Sequence, residues 1–335
     1  MTSAVAIIII FAGAAIAAGA IVLMVPLLRR YALARPNARS SHSVPTPQGG
    51  GIAVLIAVIV VLAVIALLLP QLIADPGGLA IALGAATAIA FVGAIDDIRP
   101  IEPGPRLVLQ AIAVTVVVAA LPPTLRVVPV LPWWIERALM ALGVLWLVNL
   151  VNFMDGIDLI TVAEVVPITG ALAVFGWRDA PSSDATLTAL ALCGAMLGFA
   201  PFNKPVAKLF LGDVGSLPIG LLLGWLLLAL AEHHLIAAVL LPLYYLADAT
   251  VTLLRRLLRG ERITQAHRSH FYQHAIDRGM SVYAVVGQIF TVNIALAVLA
   301  WATLAAGPEL QVMALIGGVG LVGAALAVFS RPKKG

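Results

Sequence analysis

Long runs of apolar residues, separated by short polar segments, occupy this chain from one end to the other. A helix that spans a bilayer needs about 20 apolar residues, because each adds about 1.5 Å across a hydrocarbon layer about 30 Å thick. Runs that approach this length lie at about 4–28, 50–70, 77–95, 107–122, 138–152, 161–176, 185–200, 217–231, 235–254, 282–305 and 311–330. The pattern predicts an all-α integral membrane protein, a single polytopic domain over residues 1–335 with about 10–11 transmembrane helices.

The composition excludes a water-soluble fold. Of the 335 residues, 62% are hydrophobic and only 11% are Asp, Glu, Lys or Arg. A typical soluble domain has about 25% charged residues, and a soluble chain of this length could not bury so much apolar surface. The net charge of +4 is spread over short loops, so we predict no nucleic-acid partner.

The basic residues predict the side on which each loop lies. Loops near 29–49, 96–106, 153–160, 201–216 and 255–281, together with the C-terminal tail, carry every Lys and Arg except Arg126, Arg137 and Arg178. Cytoplasmic loops of membrane proteins are enriched in Lys and Arg. We therefore predict that these loops and the C-terminus are cytoplasmic and that the N-terminus lies outside.

Unusual polar clusters fall within these same five loops, and the first lies between residues 35 and 51. It contains His42 and ends in three glycines, 49–51, at the start of an apolar run. Backbone N–H groups of such glycines can approach an anion closely. Taken alone, a solvated basic loop that sets the topology explains this segment equally well.

The second cluster is the adjacent pair Asp96 and Asp97, which directly follows an apolar run. At a separation of about 4 Å and an effective dielectric constant of about 20, two carboxylates repel by about 4 kcal/mol. A divalent cation would relieve this repulsion. For an isolated pair, exposure of both side chains to water beside Arg99 and Arg106 is the simpler explanation.

The third cluster contains two amides and two carboxylates at the end of an apolar helix. Asn149 and Asn152 are three residues apart and share a helix face, and Gly156 is expected to end that helix. Asp155 and Asp158 would then project from its terminus. Packing explains this cluster poorly, because such groups are costly to bury in lipid without partners.

The fourth and fifth clusters also suit phosphate chemistry. Gly212 and Gly215 bracket Asp213 in a turn before an apolar run, where Mg²⁺ could bind together with phosphate oxygens; an ordinary helix cap is the structural alternative.

In the fifth cluster, His270 and its neighbouring basic residues favour phosphate binding. Zinc is disfavoured there because no cysteine or third ligand has a fitting spacing. Within an apolar run, Asp248 could pair with an arginine.

In this order the clusters resemble the polyprenyl-phosphate N-acetylhexosamine-1-phosphate transferases of glycosyltransferase family 4. That family includes enzymes that initiate O-antigen synthesis and the phospho-MurNAc-pentapeptide translocase. The resemblance extends from about Pro36 to Gln273. The motifs that carry it are Pro36-Asn37-x-Arg39-Ser40-x-His42, Gly93-x-x-Asp96-Asp97, Asn149-x-x-Asn152-x-x-Asp155-Gly156-x-Asp158, Phe210-x-Gly212-Asp213-x-Gly215-Ser216 and His267-Arg268-x-His270-x-Tyr272-Gln273. The chain departs from the family at Ala34, often an acid there, and at Gln48, often a basic residue.

The resemblance implies transfer of a sugar-1-phosphate from a UDP-N-acetylhexosamine to undecaprenyl or another polyprenyl phosphate, with release of UMP. It also implies the bacterial inner (plasma) membrane, an active site at the cytoplasmic face, O-antigen or other cell-envelope polysaccharide synthesis, and Mg²⁺, with Mn²⁺ as an alternative. The implied metal ligands are Asp213 and Asp96. The implied catalytic residues are Asp96, Asp97, Asp155 and Asp158, and the implied substrate-binding residues are Asn149, Asn152, Asn203, Phe210, His42, His267, Arg268 and His270.

Other functions stay open at this point. A secondary transporter could use Asp248 and Glu164 to carry protons or substrate, although such proteins usually have midplane sites and repeated halves. A lipid-pyrophosphate phosphatase would hydrolyse its substrate, and a scaffold would tolerate alanine at the five aspartates of the clusters. The sequence also leaves open the sugar, the polyprenyl length and a homodimer, since glycine-rich helices suit dimerisation and internal packing alike.

Overall fold

The computed structural model describes residues 2–34, 45–178, 183–261 and 268–331. Within these ranges the chain forms helices joined by short loops and one two-stranded antiparallel sheet. The elements are α1 (Ser3–Tyr31), β1 (Leu33–Ala34), β2 (Thr46–Pro47), α2 (Gly50–Leu68), a 3-10 helix (Pro70–Leu72), α3 (Pro76–Ile98), α4 (Pro103–Ala120), α5 (Trp133–Met154), α6 (Ile160–Phe175), a second 3-10 helix (Gly176–Arg178), α7 (Ser183–Asn203), α8 (Asp213–Leu240), α9 (Leu243–Leu258), α10 (Phe271–Asp277), α11 (Val282–Thr303) and α12 (Pro308–Ser330).

The helices confirm the predicted all-α polytopic membrane fold. Nine helices in the described ranges are long and apolar enough to span a membrane, and α6 is a shorter apolar helix. Proline occupies the first position of α3, α4 and α12, where the missing N–H group costs nothing because no intrahelical acceptor exists for it. Apolar length therefore predicts the helices, and proline marks where several of them begin.

The region around α8 and α9 differs from the prediction. The predicted run at 235–254 contains the end of α8, which continues to Leu240 through a kink at His234, and most of α9, which begins after Pro242. Pro242 has no N–H group for the helical hydrogen-bond ladder. The run is therefore two helical pieces, and the second piece carries Asp248.

The centre of the bundle is α8. In its most apolar 18-residue window 89% of the residues are buried, compared with 28% in α1 and in α4. Neighbouring helices α2, α3, α5 and α11 pack around it. A helix that is apolar on all sides suits this enclosed position, and its first turn therefore lies among the ends of several other helices.

Close backbone contacts fix the first turn of α8. A Cβ atom on Gly93 of α3 would overlap the carbonyl group of Asp213, and one on Gly51 of α2 would overlap the backbone of Gly215. Only residues without a side chain permit these approaches. The positions of α2 and α3 therefore determine the position of the Asp213 backbone, from which its side chain extends.

We predict that Gly93→Ala destabilises the protein because the new methyl group meets backbone atoms of α8. Overpacking of this kind costs about 1–3 kcal/mol. Gly84→Ala in the same helix is the matched control, because a Cβ there has no neighbour within 4 Å. Thermal unfolding in detergent should show a lower midpoint for Gly93→Ala only, and equal midpoints for the two variants would contradict the close approach.

Candidate active site

Most of the predicted site residues gather at one end of the bundle, where α3 and α5 end and α8 begins. We call this the polar end. It includes the loops at 155–159 and 204–212 and the segment 268–278, which contains α10. Two predicted substrate-binding residues, His42 and His267, lie outside the described residues.

Asp97, in the last turn of α3, caps the first turn of α8. Its carboxylate accepts hydrogen bonds from the backbone N–H groups of Asp213 (3.0 Å) and Val214 (3.1 Å). The residue before α8 is Gly212, which has a φ of 77° and whose Cβ would lie 2.6 Å from Asp97 Oδ2. Asp97 thus satisfies helix donors from a neighbouring helix and places negative charge at the positive end of the α8 dipole.

Arg106, in the first turn of α4, lies between two carboxylates. Its Nη1 atom is 2.6 Å from Asp96 Oδ2 and 3.3 Å from Asp213 Oδ2. Asp96 also accepts a hydrogen bond from the N–H group of Ile101 at 2.6 Å. Sequence spacing places Arg106 near Asp96 but does not indicate its second partner, Asp213, which lies 107 residues further along the chain. We call this arrangement the Asp96–Arg106–Asp213 group.

Asn152, near the end of α5, adds an amide to the Asp96–Arg106–Asp213 group. Its Nδ2 atom donates to Asp213 Oδ1 (2.8 Å) and to Ser216 Oγ (2.9 Å). Asn149, one turn earlier, donates instead to Gln110 Oε1 of α4 at 2.8 Å. The two asparagines therefore meet different helices, and Asn152 alone of the pair contacts Asp213.

Asp158 and Asn203 join the two short loops of the polar end. Asp158 accepts a hydrogen bond from the N–H group of Ala207 at 2.9 Å. The Asn203 amide accepts from the N–H group of Leu159 (2.7 Å) and donates to the carbonyl of Leu209 (3.0 Å). Both side chains therefore hold loop backbone in place, and the catalytic role of Asp158 and the substrate contact of Asn203 stay predictions.

Asp155 follows the end of α5 and is partly buried. Its Oδ1 atom accepts a hydrogen bond from Thr161 Oγ1 at 2.5 Å. Burial is the main cause that raises the pKa of Asp155 to about 6; the charges of Asp97 and Asp158 act in the same direction, and the bond from Thr161 opposes them. Its carboxyl therefore changes charge not far below neutral pH.

The segment before α2 packs beside the same site. The N–H group of Phe210 donates to the carbonyl of Pro47 (2.8 Å), and its carbonyl accepts from the N–H group of Gly50 (2.9 Å). The side chain of Gln48 donates to the backbone carbonyl of Asp97 at 2.8 Å. Gln48 thus binds the end of α3 through an uncharged group, at a position where the resembled family often has a basic residue.

The described part of the fifth cluster makes one ion pair and one buried histidine–carboxylate contact. Arg268 Nη2 is 2.7 Å from Asp277 Oδ1, at the surface. His270 Nδ1 is 3.1 Å from Asp248 Oδ1, and both side chains are buried. The partner of Asp248 is therefore a histidine, whereas the sequence suggested an arginine for this carboxylate.

Two acidic side chains of the polar end are of the kind that Mg²⁺ takes as ligands. In the part of the chain that the structure describes, no three His, Cys, Asp or Glu side chains form a group that could hold a metal ion. Asp96 and Asp213 offer carboxylate oxygens on either side of Arg106. One or two carboxylates, completed by substrate phosphates and water, are the ligands that Mg²⁺ commonly takes.

Comparison with known proteins relates the chain to membrane-lipid sugar-phosphate transferases. A family model described as glycosyl transferase family 4 matches residues 79–231. The chain is 27% identical over 295 residues to a probable undecaprenyl-phosphate N-acetylglucosaminyl 1-phosphate transferase of Bacillus subtilis, covering 82% of this chain and 80% of that relative. It is 28% identical to phospho-N-acetylmuramoyl-pentapeptide-transferases of Lactiplantibacillus plantarum (55% of this chain, 58% of the relative) and Streptococcus pneumoniae (68% and 73%).

We predict that Asp155→Asn changes how stability depends on pH. A carboxyl with a raised folded-state pKa favours folding while it is protonated, and this contribution is lost as the pH rises through about 6. Asparagine keeps an acceptor for Thr161 but has no proton to lose. Thermal stability in detergent should therefore fall less steeply between about pH 4.5 and about pH 7 in the variant than in the wild-type protein.

Asp75→Asn is the control for this measurement. Asp75 caps α3 at the opposite end of the bundle, where it accepts a hydrogen bond from the N–H group of Gly78 at 2.9 Å, and asparagine caps a helix about as well. Its pH profile should match the wild-type profile. If Asp155→Asn also matched it, the raised pKa would be wrong.

Proposed function

Given that the chain belongs to glycosyl transferase family 4, we propose that it transfers an N-acetylhexosamine-1-phosphate from a UDP-sugar to polyprenyl phosphate and releases UMP. The relatives are named for transfer reactions with undecaprenyl phosphate and N-acetylglucosaminyl 1-phosphate, or with phospho-N-acetylmuramoyl-pentapeptide. These names support the reaction class. The UDP donor and the choice of an N-acetylhexosamine are our extension.

The Asp96–Arg106–Asp213 group carries this proposal. Both reactants are polyanions, so their approach requires positive charge between them. The Arg106 guanidinium is already placed between carboxylates, and a guanidinium can bind phosphate oxygens in a bidentate manner. We propose that Asp213 and Asp96 hold Mg²⁺, or Mn²⁺ in its place. That ion would neutralise phosphate charge and polarise the phosphorus atom.

The proposed reaction exchanges one phosphoanhydride for another. An oxygen of the lipid phosphate forms a bond to the phosphorus atom that carries the sugar, and the bond from that atom to the oxygen retained by UMP breaks. A phosphate monoester has a second pKa of about 6 and is mostly ionised at neutral pH. Asp97, which caps α8 beside Asp213, is therefore more useful for positioning than as a general base.

Other predicted residues would bind the nucleotide sugar. We propose that Asn152 and Asp155 contact the uridine or the sugar, since they border Asp213 and the loop at 155–159. Arg268 and His270, with the histidines outside the described ranges, would contact its phosphates.

Four further residues are proposed to support the site through the contacts that the structure shows. Asp158 and Asn203 hold the two loops together, Asn149 bonds to α4, and Phe210 binds the segment before α2 through its backbone.

An apolar cavity of about 300 Å³ between α5, α8 and α9 supports a lipid acceptor. It is lined almost entirely by aliphatic side chains such as Val144, Leu147 and Leu246, and it extends away from the polar end to Glu136 in the first turn of α5. An isoprenoid chain is a ligand of matching chemistry, because it has no polar group to satisfy.

The transporter alternative is less well supported. The buried carboxylate of Asp248 accepts hydrogen bonds from α10, and that of Glu164 accepts one from Asn293 Nδ2 at 2.6 Å. Both residues therefore have structural partners, and the acidic residues of the predicted site, Asp96, Asp97, Asp155, Asp158 and Asp213, gather at the polar end. A phosphatase would share much of this site, and release of orthophosphate without a UDP-sugar would identify it.

Location and pathway are also proposals. The apolar helices support a multi-pass membrane protein. We propose the bacterial inner membrane, with the N-terminus outside and the polar end and C-terminus in the cytoplasm, because the basic loops lie at that end. A role in O-antigen or another cell-envelope polysaccharide follows from the resemblance, and a homodimer is not required by the site.

The first experiment measures UMP release by the purified protein in detergent. The reaction contains undecaprenyl phosphate, Mg²⁺ and one UDP-N-acetylhexosamine at a time. We expect release that requires both substrates and stops when EDTA removes the metal, and the best donor in the panel identifies the sugar. Folded protein that releases no UMP with any donor would contradict the proposal.

The second experiment tests the metal ligand. Asp213→Asn should lower kcat by about a hundredfold or more, because it removes a charged ligand from a site with few protein ligands. Asp75→Asn, at the opposite end of the bundle, should keep wild-type activity. Full Mg²⁺-dependent activity in Asp213→Asn would show that another residue holds the metal.

A further inference from the structure

We propose that Asp248 is a positioning residue of this site, although it lies on an apolar helix and was not among the predicted site residues. Its carboxylate fixes the His270 imidazole and seats α10 on the loop that carries Asp155. This inference rests on the proposed function for its kinetic test but also makes a prediction that is independent of activity.

Asp248 is fully buried on α9 and receives donors from its own helix. Tyr244 Oη donates to Asp248 Oδ2 at 3.2 Å, and Thr252 Oγ1 donates to Oδ1 at 3.3 Å. These residues lie one turn before and one turn after it. A buried carboxylate is costly unless hydrogen bonds compensate the lost water, and this helix supplies part of that compensation.

The remaining donors come from the start of α10. His270 Nδ1 is 3.1 Å from Asp248 Oδ1, and the N–H groups of Phe271 and Tyr272 lie 3.1 Å and 3.4 Å from the carboxylate. These two N–H groups are the first of α10 and have no acceptor within their own helix. Asp248 therefore caps α10 from outside, and Gln273 completes the cap by accepting from the His270 N–H group at 3.2 Å.

This cap sets the state and orientation of the imidazole. An ionised carboxylate only accepts, so with Asp248 ionised the hydrogen atom between the two groups belongs to Nδ1 of His270. The ring also stacks on Tyr272, with centroids 5.7 Å apart and planes 19° apart. Rotation of the ring would break both contacts, so Asp248 and Tyr272 together hold His270 in one orientation.

The same few residues of α10 touch the acidic loop. A Cβ atom on Gly156 would overlap the Tyr272 hydroxyl and lie 3.2 Å from Gln273 Nε2. Gly156 directly follows Asp155, whose pKa is already raised by burial. Displacement of α10 would therefore change the surroundings of Asp155 as well as the position of His270.

The kinetic test uses Asp248→Asn, which keeps the size of the side chain and removes its charge. We expect kcat/KM for the UDP-sugar to fall about tenfold or more, as is common when a partner that orients a functional histidine is lost. The apparent KM for polyprenyl phosphate should change less than twofold. Equal losses for both substrates together with a lower melting temperature would indicate a purely structural role and overturn the proposal.

A double-mutant cycle with His270→Asn tests whether the two residues act together. If Asp248 acts through His270, the double variant should be no more than about twofold worse than the poorer single variant. Multiplied losses would show independent roles and contradict the proposed path from Asp248 through His270.

Asp184→Asn is the matched control. Asp184 is also a buried aspartate that accepts hydrogen bonds from two backbone N–H groups, those of Ala74 and Asp75, each at 2.8 Å, at the opposite end of the bundle. The same chemical change there should leave kcat/KM for the UDP-sugar within about twofold of the wild-type value.

Hydrogen–deuterium exchange provides the readout that needs no activity. In Asp248→Asn, amides of 268–278 and 155–160 should exchange at least about tenfold faster than in the wild-type protein. In Asp184→Asn only the region near 74–78 should change. Unchanged exchange at 155–160 in Asp248→Asn would overturn the positioning role. The wild-type protein could release no UMP while Asp248→Asn still shows the expected faster exchange. The proposed function would then be wrong, and the contact between α9, α10 and the loop at 155–159 would be supported.

Discussion

The cap that Asp97 places on α8 is the interaction on which the site depends. Two N–H groups at the start of α8 donate to this carboxylate, which belongs to the last turn of α3. Gly93 and Gly212 allow the two helices to come this close, because a side chain at either position would overlap atoms of the opposing segment. The cap fixes the backbone of Asp213, and the directions available to its side chain follow from that backbone.

Charge compensation then explains how several acids can share one end of a membrane bundle. Arg106 lies between Asp96 and Asp213, and Asn152 donates to the other oxygen of Asp213. Each partner comes from a different helix, so the group forms only when α3, α4, α5 and α8 are assembled. Under the proposed function, a phosphate ligand that brings a metal ion would replace these contacts between protein groups with contacts to phosphate.

The loops of the polar end have little regular secondary structure. Buried side chains therefore form the hydrogen bonds to loop N–H and carbonyl groups that other backbone groups would form in a helix or a sheet. Asp158 and Asn203 bind loop N–H and carbonyl groups, and Asp248 does the same for α10 from within the bundle. Short loops held by side chains from rigid helices can keep substrate-binding groups in place more accurately than free loops. The proposed roles of His270 and Asp155 therefore depend on residues that need not touch substrate.

The sequence by itself determined the membrane class, most helix positions and which polar residues were unusual, because lipid requires long apolar helices and makes isolated polar groups costly. It also indicated the family, since the motifs occur in order along the chain. Only the tertiary structure decided the partners: Arg106 with Asp213, Asn149 with α4 instead of the acidic group, and Asp248 with His270. Periodicity also missed the break before α9, where the apolar run continues through Pro242. These features depend on contacts between residues far apart in the chain, and hydrophobic pattern and local spacing carry no information about such distances.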